Sequence, residues 1–215
     1  MIDLPNATLK RLSLYRRCFI ELHEQDVKKI QSNELSQIIG IDSATIRRDF
    51  SYLGELGRQG YGYEVEIVLE AFNKLLNTNA KQECVLIGIG DLGRALLKYF
   101  SSDKFKKAAF NTPVNLVAGF DIDPEKIGQN IGELPVYNQE GLADYIKKHH
   151  VHYAIIAVPP KHAQSVADSL AGLGIKGVMN LSSTIINVSE DIIVHEVDIN
   201  LELETLFFKV LQNQM

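Results

Sequence analysis

Along the first third of the chain, apolar residues recur at helical spacing. Leu9, Leu12, Phe19 and Leu22 share one face and predict a first helix, while "SNELSQIIG" predicts a short second one, capped by Ser32 or Asn33 and stopped at Gly40. After a tight turn, Asp42 or Ser43 caps a third helix whose apolar face is Ile46, Phe50 and Leu53. Helix, glycine-containing turn, helix is the pattern of a helix-turn-helix. Gly54, Gly57, Gly60 and Gly62, interleaved with Arg58, Tyr61 and Tyr63, then break helix and suit a hairpin or wing. From Val65, the series Val68, Leu69, Phe72, Leu75 and Leu76 marks a fourth helix ending in the polar "NTNAKQE", where a domain boundary is expected.

Beyond this point the period changes. Short apolar runs, "CVLIG", "NLVAGFD", "YAIIAV" and "GVMNLS", alternate with helical segments near 92–101, 140–149 and 161–173, which implies a parallel sheet covered on both faces. A further strand, "DIIVHEV", precedes a last helix from Ile199. On that helix Leu203, Leu206 and Val210 share one face while Leu201 and Phe208 fall nearly opposite, so no single groove buries them all. A twofold dimer that exchanges its tails supplies two covering bodies; the plain alternative is a helix on the edge of its own sheet. The expected fold class is α/β with an N-terminal all-α winged helix. Residues 1–80 are expected to form a winged-helix domain, 81–198 a Rossmann-like parallel-sheet domain, and 199–215 a C-terminal, domain-swapped dimerisation helix.

Composition narrows the function classes. With 215 residues, 46% of them hydrophobic, the chain can bury one good-sized core or two modest ones, and two domains are a reasonable expectation. No apolar run approaches the roughly 20 residues of a membrane span, and the N-terminal stretch lacks the apolar core of a signal peptide, so no membrane contact and a cytoplasmic location are expected. Cys18 and Cys84 form neither a metal spacing nor a disulfide framework. The net charge of -5 argues against an indiscriminate nucleic-acid binder, but residues 1–62 carry nine basic and eight acidic residues against thirteen and nineteen in the remainder. An anion-binding surface is expected at the N-terminal end.

Gly88-Ile89-Gly90-Asp91-Leu92-Gly93 fits G-x-G-x-x-G after an apolar strand and at the start of a helix. In that context Gly88 makes the turn, Gly90 lets backbone approach a pyrophosphate, Gly93 permits close packing, and the helix N-terminus offers free N–H groups. The second strand ends at Asp121, whose carboxylate suits the adenosine ribose hydroxyls. No arginine follows in Ile122-Asp123-Pro124, so NAD(H) is expected over NADP(H). Asp121 lies 28 positions after Gly93, beyond the usual spacing of about 20, and "SSDKFKKAAFNTPV" lengthens the crossover. Asp91 sets a negative charge beside the expected pyrophosphate, and either weakens the site or points to solvent. A glycine-rich turn without a ligand is the plain alternative.

An enzyme is not expected, since only 18 residues follow position 197 and no substrate domain fits. Lys161 and His162, just past a strand end, look catalytic, but a solvated first helical turn accounts for them. His149, His150 and His152, at a helix end running into a strand, suit a solvated surface better than a metal.

The third helix carries "SATIRRDF". In a helix-turn-helix this segment reaches base edges in the major groove, with Ser43, Thr45, Arg47 and Arg48 on or near its outer side. The glycine-rich wing with Arg58 is slim enough to enter a minor groove. The stretches "TIRRDFSYLGELGRQGYGYEV", "VLIGIGDLG", "GFDIDPEKIG" and "GIKGVMN", in this order over nearly the full chain, resemble the Rex family of redox-sensing transcriptional repressors. The resemblance implies a homodimer that binds a palindromic double-stranded DNA operator when NADH is scarce and releases it when NADH binds, sensing NADH against NAD+. It assigns DNA contacts to Arg47, Arg48, Arg58 and Gly60. It assigns the cofactor's adenosine and pyrophosphate to Gly88, Gly90, Gly93 and Asp121, and its nicotinamide end to Val158, Pro159 and Asn180. Arg17, Tyr99 and Asp198 match a trio that links cofactor pocket to DNA-binding domain, whereas Asp91 stands where the family often has a neutral or basic residue. Readings from other classes are an NAD-dependent oxidoreductase with a helical appendage and a CoA-binding or scaffold module on the same nucleotide fold.

Overall fold

The computed structural model describes residues 4–54, 56–58, 61–75, 81–102 and 114–213, residue 58 by its backbone alone. The expected crossover lengthening and the polar end of the fourth helix fall largely outside them. The chain divides into two compact units, Met1–Ala80 and Lys81–Met215.

In the first unit, α1 (Asn6–Glu24) buries Thr8, Leu12, Tyr15, Phe19 and Leu22. This stripe steps by three and four residues, as a helix face does. Leu9 lies one residue off the stripe and is 47% exposed, which corrects its expected place in the core. After β1 (Lys29–Ile30), α2 (Ser32–Ile39) starts one residue earlier than expected. Gln31 is its N-cap, and the Gln31 backbone N–H donates to the Glu34 carboxylate at 2.7 Å. Gly40, at φ +69°, ends it in the left-handed conformation that glycine adopts freely. Asp42 caps α3 (Ser43–Ser51), accepting from the N–H of Ala44 and Thr45. β2 (Gly57–Arg58) and β3 (Gly62–Glu64) form the wing hairpin, and β1 completes an antiparallel sheet in the order β1-β3-β2. α4 (Val65–Leu75) closes a core centred on Phe50, whose ring meets Tyr15 edge-on at 5.1 Å and Tyr63 at 4.8 Å.

The second unit runs β4 (Gln82–Ile87), α5 (Asp91–Ser101), β5 (Val114–Asp121), β6 (Asn130–Ile131) and β7 (Leu134–Asn138). A short 3-10 turn (Gln139–Gly141) leads to α6 (Leu142–His149), then β8 (Tyr153–Ile156), α7 (Pro160–Ser169), β9 (Gly177–Asn180), β10 (Ile193–Glu196) and α8 (Ile199–Gln212). The sheet order is β10-β9-β8-β4-β5-β7-β6, parallel except for the β6-β7 hairpin. The six parallel strands follow the doubly wound dinucleotide-binding order, which reverses between β4 and β8. Alternate residues of β4 serve opposite layers. Val85 and Ile87 pack with α6 and α7, whereas Cys84 and Leu86 pack with Leu97 of α5. The helix expected over 161–173 stops at Ser169, where the Leu170 and Ala171 N–H groups tighten to the carbonyls of Ala167 and Asp168, and Gly172 and Gly174 follow at φ of +69° and +88°. Every residue of α8 is exposed, Phe207 and Phe208 by 67% and 65%, so the helix does not cover the edge of its own sheet.

Candidate nucleotide crevice and DNA-reading face

The turn from β4 into α5 builds a cradle from glycines. Gly88 has φ +93°, and a Cβ there would lie 2.7 Å from the Ala157 carbonyl oxygen. A Cβ on Gly93 would run into the Gly88 carbonyl oxygen, so α5 packs against the turn only without one. Gly90 differs: a Cβ there would meet nothing within 4 Å. The space it leaves opens on a crevice of about 400 Å³ lined by Gly88, Gly90, Asp121, Val158 and Pro159 together with Lys126 and His162. This crevice lies at the ends of β4 and β8, where the strand order reverses, and α5 directs its first backbone N–H groups toward that side. An extended phosphodiester fits such a surface: open backbone, no side chain at Gly90, and helix N–H donors.

The remaining expected cofactor residues are placed differently. Gly93 is buried beneath the turn, while Asp91 and Leu92 stand exposed on the first turn of α5 outside the crevice lining. Asp91 therefore faces solvent, at the helix end where a carboxylate is favoured. Asn180 is 1% exposed and is absent from the lining. Its Nδ2 donates to Thr184 O and Glu196 Oε2, both at 2.6 Å, and its Oδ1 accepts from the Ser182 hydroxyl at 2.6 Å.

Asp121 is nearly buried at the end of β5, on the crevice wall. Its Oδ2 accepts from the Ile89 N–H at 2.6 Å and its Oδ1 from the Asp123 N–H at 2.9 Å. Lys126 Nζ lies 3.4 Å from the same carboxylate, a cation that the expectation drawn from Ile122-Asp123-Pro124 did not count. A search limited to the next three residues misses it, because the turn after β5 folds the fifth residue back onto the strand end. His162 lines the crevice, whereas Lys161 is exposed beside it. His149 stacks on Tyr145 at 4.2 Å and His152 Nδ1 lies 3.0 Å from Gly174 O, so these imidazoles are engaged separately.

On α3, Arg47 and Arg48 are exposed and Ser43 and Thr45 half-buried, with Ile46 and Phe50 turned inward. Arg47 Nη1 donates to Ser32 Oγ at 3.0 Å, which lays its stem across α2. Arg58 sits on the wing strand β2, its backbone paired with Gly62; Gly60 lies outside the described residues. The sequence did not single out Asp49, yet it fixes this helix. Fully buried, it accepts from Thr8 Oγ1 at 2.8 Å, Arg11 Nε at 2.6 Å, Arg11 Nη2 at 2.8 Å and Tyr15 OH at 2.6 Å. Burial pushes its pKa up, but the hydrogen bonds from Arg11, Tyr15 and Thr8 outweigh it and hold the carboxyl at about 2.

Of the expected coupling trio, Arg17 belongs to the first unit, where its Nε pairs with Glu21 at 3.2 Å. Tyr99 is exposed on α5 and stands edge-on to Phe100 at 5.6 Å. Asp198 is the N-cap of α8, accepting from the Asn200 N–H at 2.8 Å.

Residues 3–51 match the family model described as "Putative DNA-binding protein N-terminus", and residues 79–184 the one described as "CoA binding domain". A winged helix-turn-helix followed by a doubly wound nucleotide fold defines a ligand-responsive transcription regulator. The chain is 43% identical to the redox-sensing transcriptional repressor Rex of Bacillus subtilis over 95% of its length and 91% of the relative's. It is 41% identical to that of Streptococcus uberis, over 99% and 97%. A solved structure of RSP, a Rex-family repressor, in complex with β-NAD+ and operator DNA is 32% identical with a TM-score of 0.87, covering 100% of this chain and 95% of that one. The chain belongs to the Rex family of redox-sensing transcriptional repressors.

Proposed function

We propose that the chain is a homodimeric repressor that holds NAD(H) in the β4-β8 crevice, binds a palindromic operator duplex through α3 and the wing, and releases the duplex when NADH binds. The observation that carries this reading is the open space at Gly90, joined in one chain to a helix that turns Arg47 and Arg48 outward. On it, residues 1–80 are the DNA-binding domain, with Ser43, Thr45, Arg47, Arg48, Arg58 and Gly60 at the duplex. Residues 81–198 hold the nucleotide: Gly88 and Gly90 at the pyrophosphate, Gly93 supporting the turn, Asp121 at the adenosine ribose, and Val158 and Pro159 toward the nicotinamide. Asn180, bound to Glu196 and Ser182, shapes the nicotinamide end from behind. Residues 199–215 join the dimer, and Arg17, Tyr99 and Asp198 carry the signal. RSP, solved with β-NAD+ and operator DNA and with β-NADH, supports both ligands.

The same reading makes the chain a sensor without enzymatic turnover, working in the cytoplasm. Among the described residues no helix is long and apolar enough to cross a membrane. Selection of duplexes from a random library, followed by gel shifts with and without NADH, tests the proposal. A selected duplex that NADH releases is expected; retention at saturating NADH overturns it. Incubation with NADH and small carbonyl compounds tests the absence of turnover, and steady NADH oxidation would refute it.

A further inference from the structure

At the adenosine end of the crevice, two carboxylates share one ammonium. Lys126 Nζ lies 3.4 Å from Asp121 Oδ2 and 3.3 Å from Asp123 Oδ2. One backbone turn fixes the arrangement: the Lys126 N–H donates to the Asp123 carbonyl at 3.0 Å, and Asp123 Oδ1 accepts from the Glu125 N–H at 3.0 Å. Lys126 lines the crevice, with its side chain 27% exposed, so its ammonium stands at the rim and not in the core.

In doubly wound dinucleotide folds, the acid ending the second strand takes the ribose 2'-hydroxyl, and a nearby cation accommodates a 2'-phosphate in its place. This chain holds both groups, so Asp121 alone does not decide between the two cofactors. Lys126 is close enough to the ribose acid to serve as a phosphate receptor, unless it is already occupied. We infer that Asp123 is a specificity-determining residue which, by pairing with Lys126, denies NADPH its phosphate receptor and makes the crevice select NADH. The inference rests on the proposed NAD(H) site. With Asp123 in place the trio carries one net negative charge, and an incoming 2'-phosphate meets repulsion from both carboxylates. Without the Asp123 charge, the ammonium can turn from the rim to the phosphate.

The charge states support the arrangement. Burial works against the Lys126 charge, but Asp123 and Asp121 outweigh it and raise its pKa. The Glu125 N–H, together with Lys126, holds Asp123 below the usual carboxylate range.

Calorimetry of the full chain with NADH and NADPH tests the inference. Asp123→Asn keeps the Oδ1 acceptor of the turn and removes the charge; Asp123→Ser does the same with a different side chain. In either variant the preference for NADH over NADPH is expected to narrow about tenfold, the worth of one charge-assisted hydrogen bond. Adding Lys126→Met should restore the original preference. An unchanged preference in both single variants, with NADH still bound, overturns the inference, as does a narrowed preference that survives Lys126→Met. Wild-type protein that binds neither nucleotide would instead remove the proposed site and the inference with it.

Discussion

Asp49 keeps its charge in an environment that opposes it. Burial alone favours the protonated carboxyl, yet four donor contacts from Thr8, Arg11 and Tyr15 hold it ionised and tie α3, which carries the exposed Arg47 and Arg48, to α1. Because its folded pKa of about 2 is below the ordinary value of 3.8, the stabilisation is complete above about pH 4 and is lost as the pH falls through 2. The shift corresponds to roughly 2 kcal/mol. Asp49→Asn should therefore lower the unfolding free energy at pH 7 by at least that amount, and the gap to wild type should close by roughly 2 kcal/mol between pH 5 and 2. Denaturant titrations at the two pH values check it, and a constant gap would refute the ionised network. The neighbours of Asp49 make the opposite case. Arg47 and Arg48 are exposed, so replacing either by Ala should spare stability and NADH binding but cost about 1–3 kcal/mol of duplex affinity in gel shifts. In the sequence "IRRDF", all three charged residues look alike. Helical spacing separates the arginines from Ile46 and Phe50, but it cannot show that partners from α1, 34 to 41 residues away, close over the aspartate. Lys126 was hidden in the same way, since only the turn after β5 brings it to Asp121.

Among the elements, those with a clear period, a continuous apolar run or a glycine-rich turn were readable, whereas β1, β6 and β7 were not. The strand-glycine-helix unit from β4 to α5 and the helix-turn-helix of α2 and α3 follow from apolar spacing and turn residues. β1, two residues long, has no period, and Pro135 interrupts β7 where an apolar run would have marked it. The G-x-G-x-x-G match likewise conceals that its glycines serve different ends. Gly90 has φ -72°, which any residue adopts, and a Cβ there meets only open space. Gly90→Ala should therefore leave the melting temperature unchanged while weakening NADH binding. Gly93→Ala drives a methyl into the Gly88 carbonyl and should cost about 1–3 kcal/mol of stability. Thermal melts and calorimetry on the pair separate the roles, and equal destabilisation by both variants would contradict the assignment of Gly90 to the ligand.

At the scale of the whole molecule, the C-terminal helix exposes every one of its residues. Leu201, Leu203, Leu206, Phe207, Phe208 and Val210 are all exposed on α8, a patch too apolar for a free surface helix, and a second copy of the chain is the proposed cover. Deleting residues 199–215 should give monomers or aggregates in light scattering, and a clean soluble dimer would remove the tail from the interface. Asp198, which caps this helix, is also the proposed link between ligand and DNA. On that proposal the Asp198 charge is what couples the two ligands. Coupling of this kind is typically worth about 1–3 kcal/mol, a 5- to 150-fold change in duplex affinity, and DNA must weaken NADH binding by the same factor. Asp198→Ala would also remove the cap on the Asn200 N–H, so lost coupling could reflect a frayed helix. Asp198→Asn keeps an acceptor for that N–H and removes only the charge. It should bind both ligands and remain dimeric, while the ratio of duplex affinities at zero and saturating NADH falls toward one. A ratio equal to that of wild type would place the signal elsewhere in the chain.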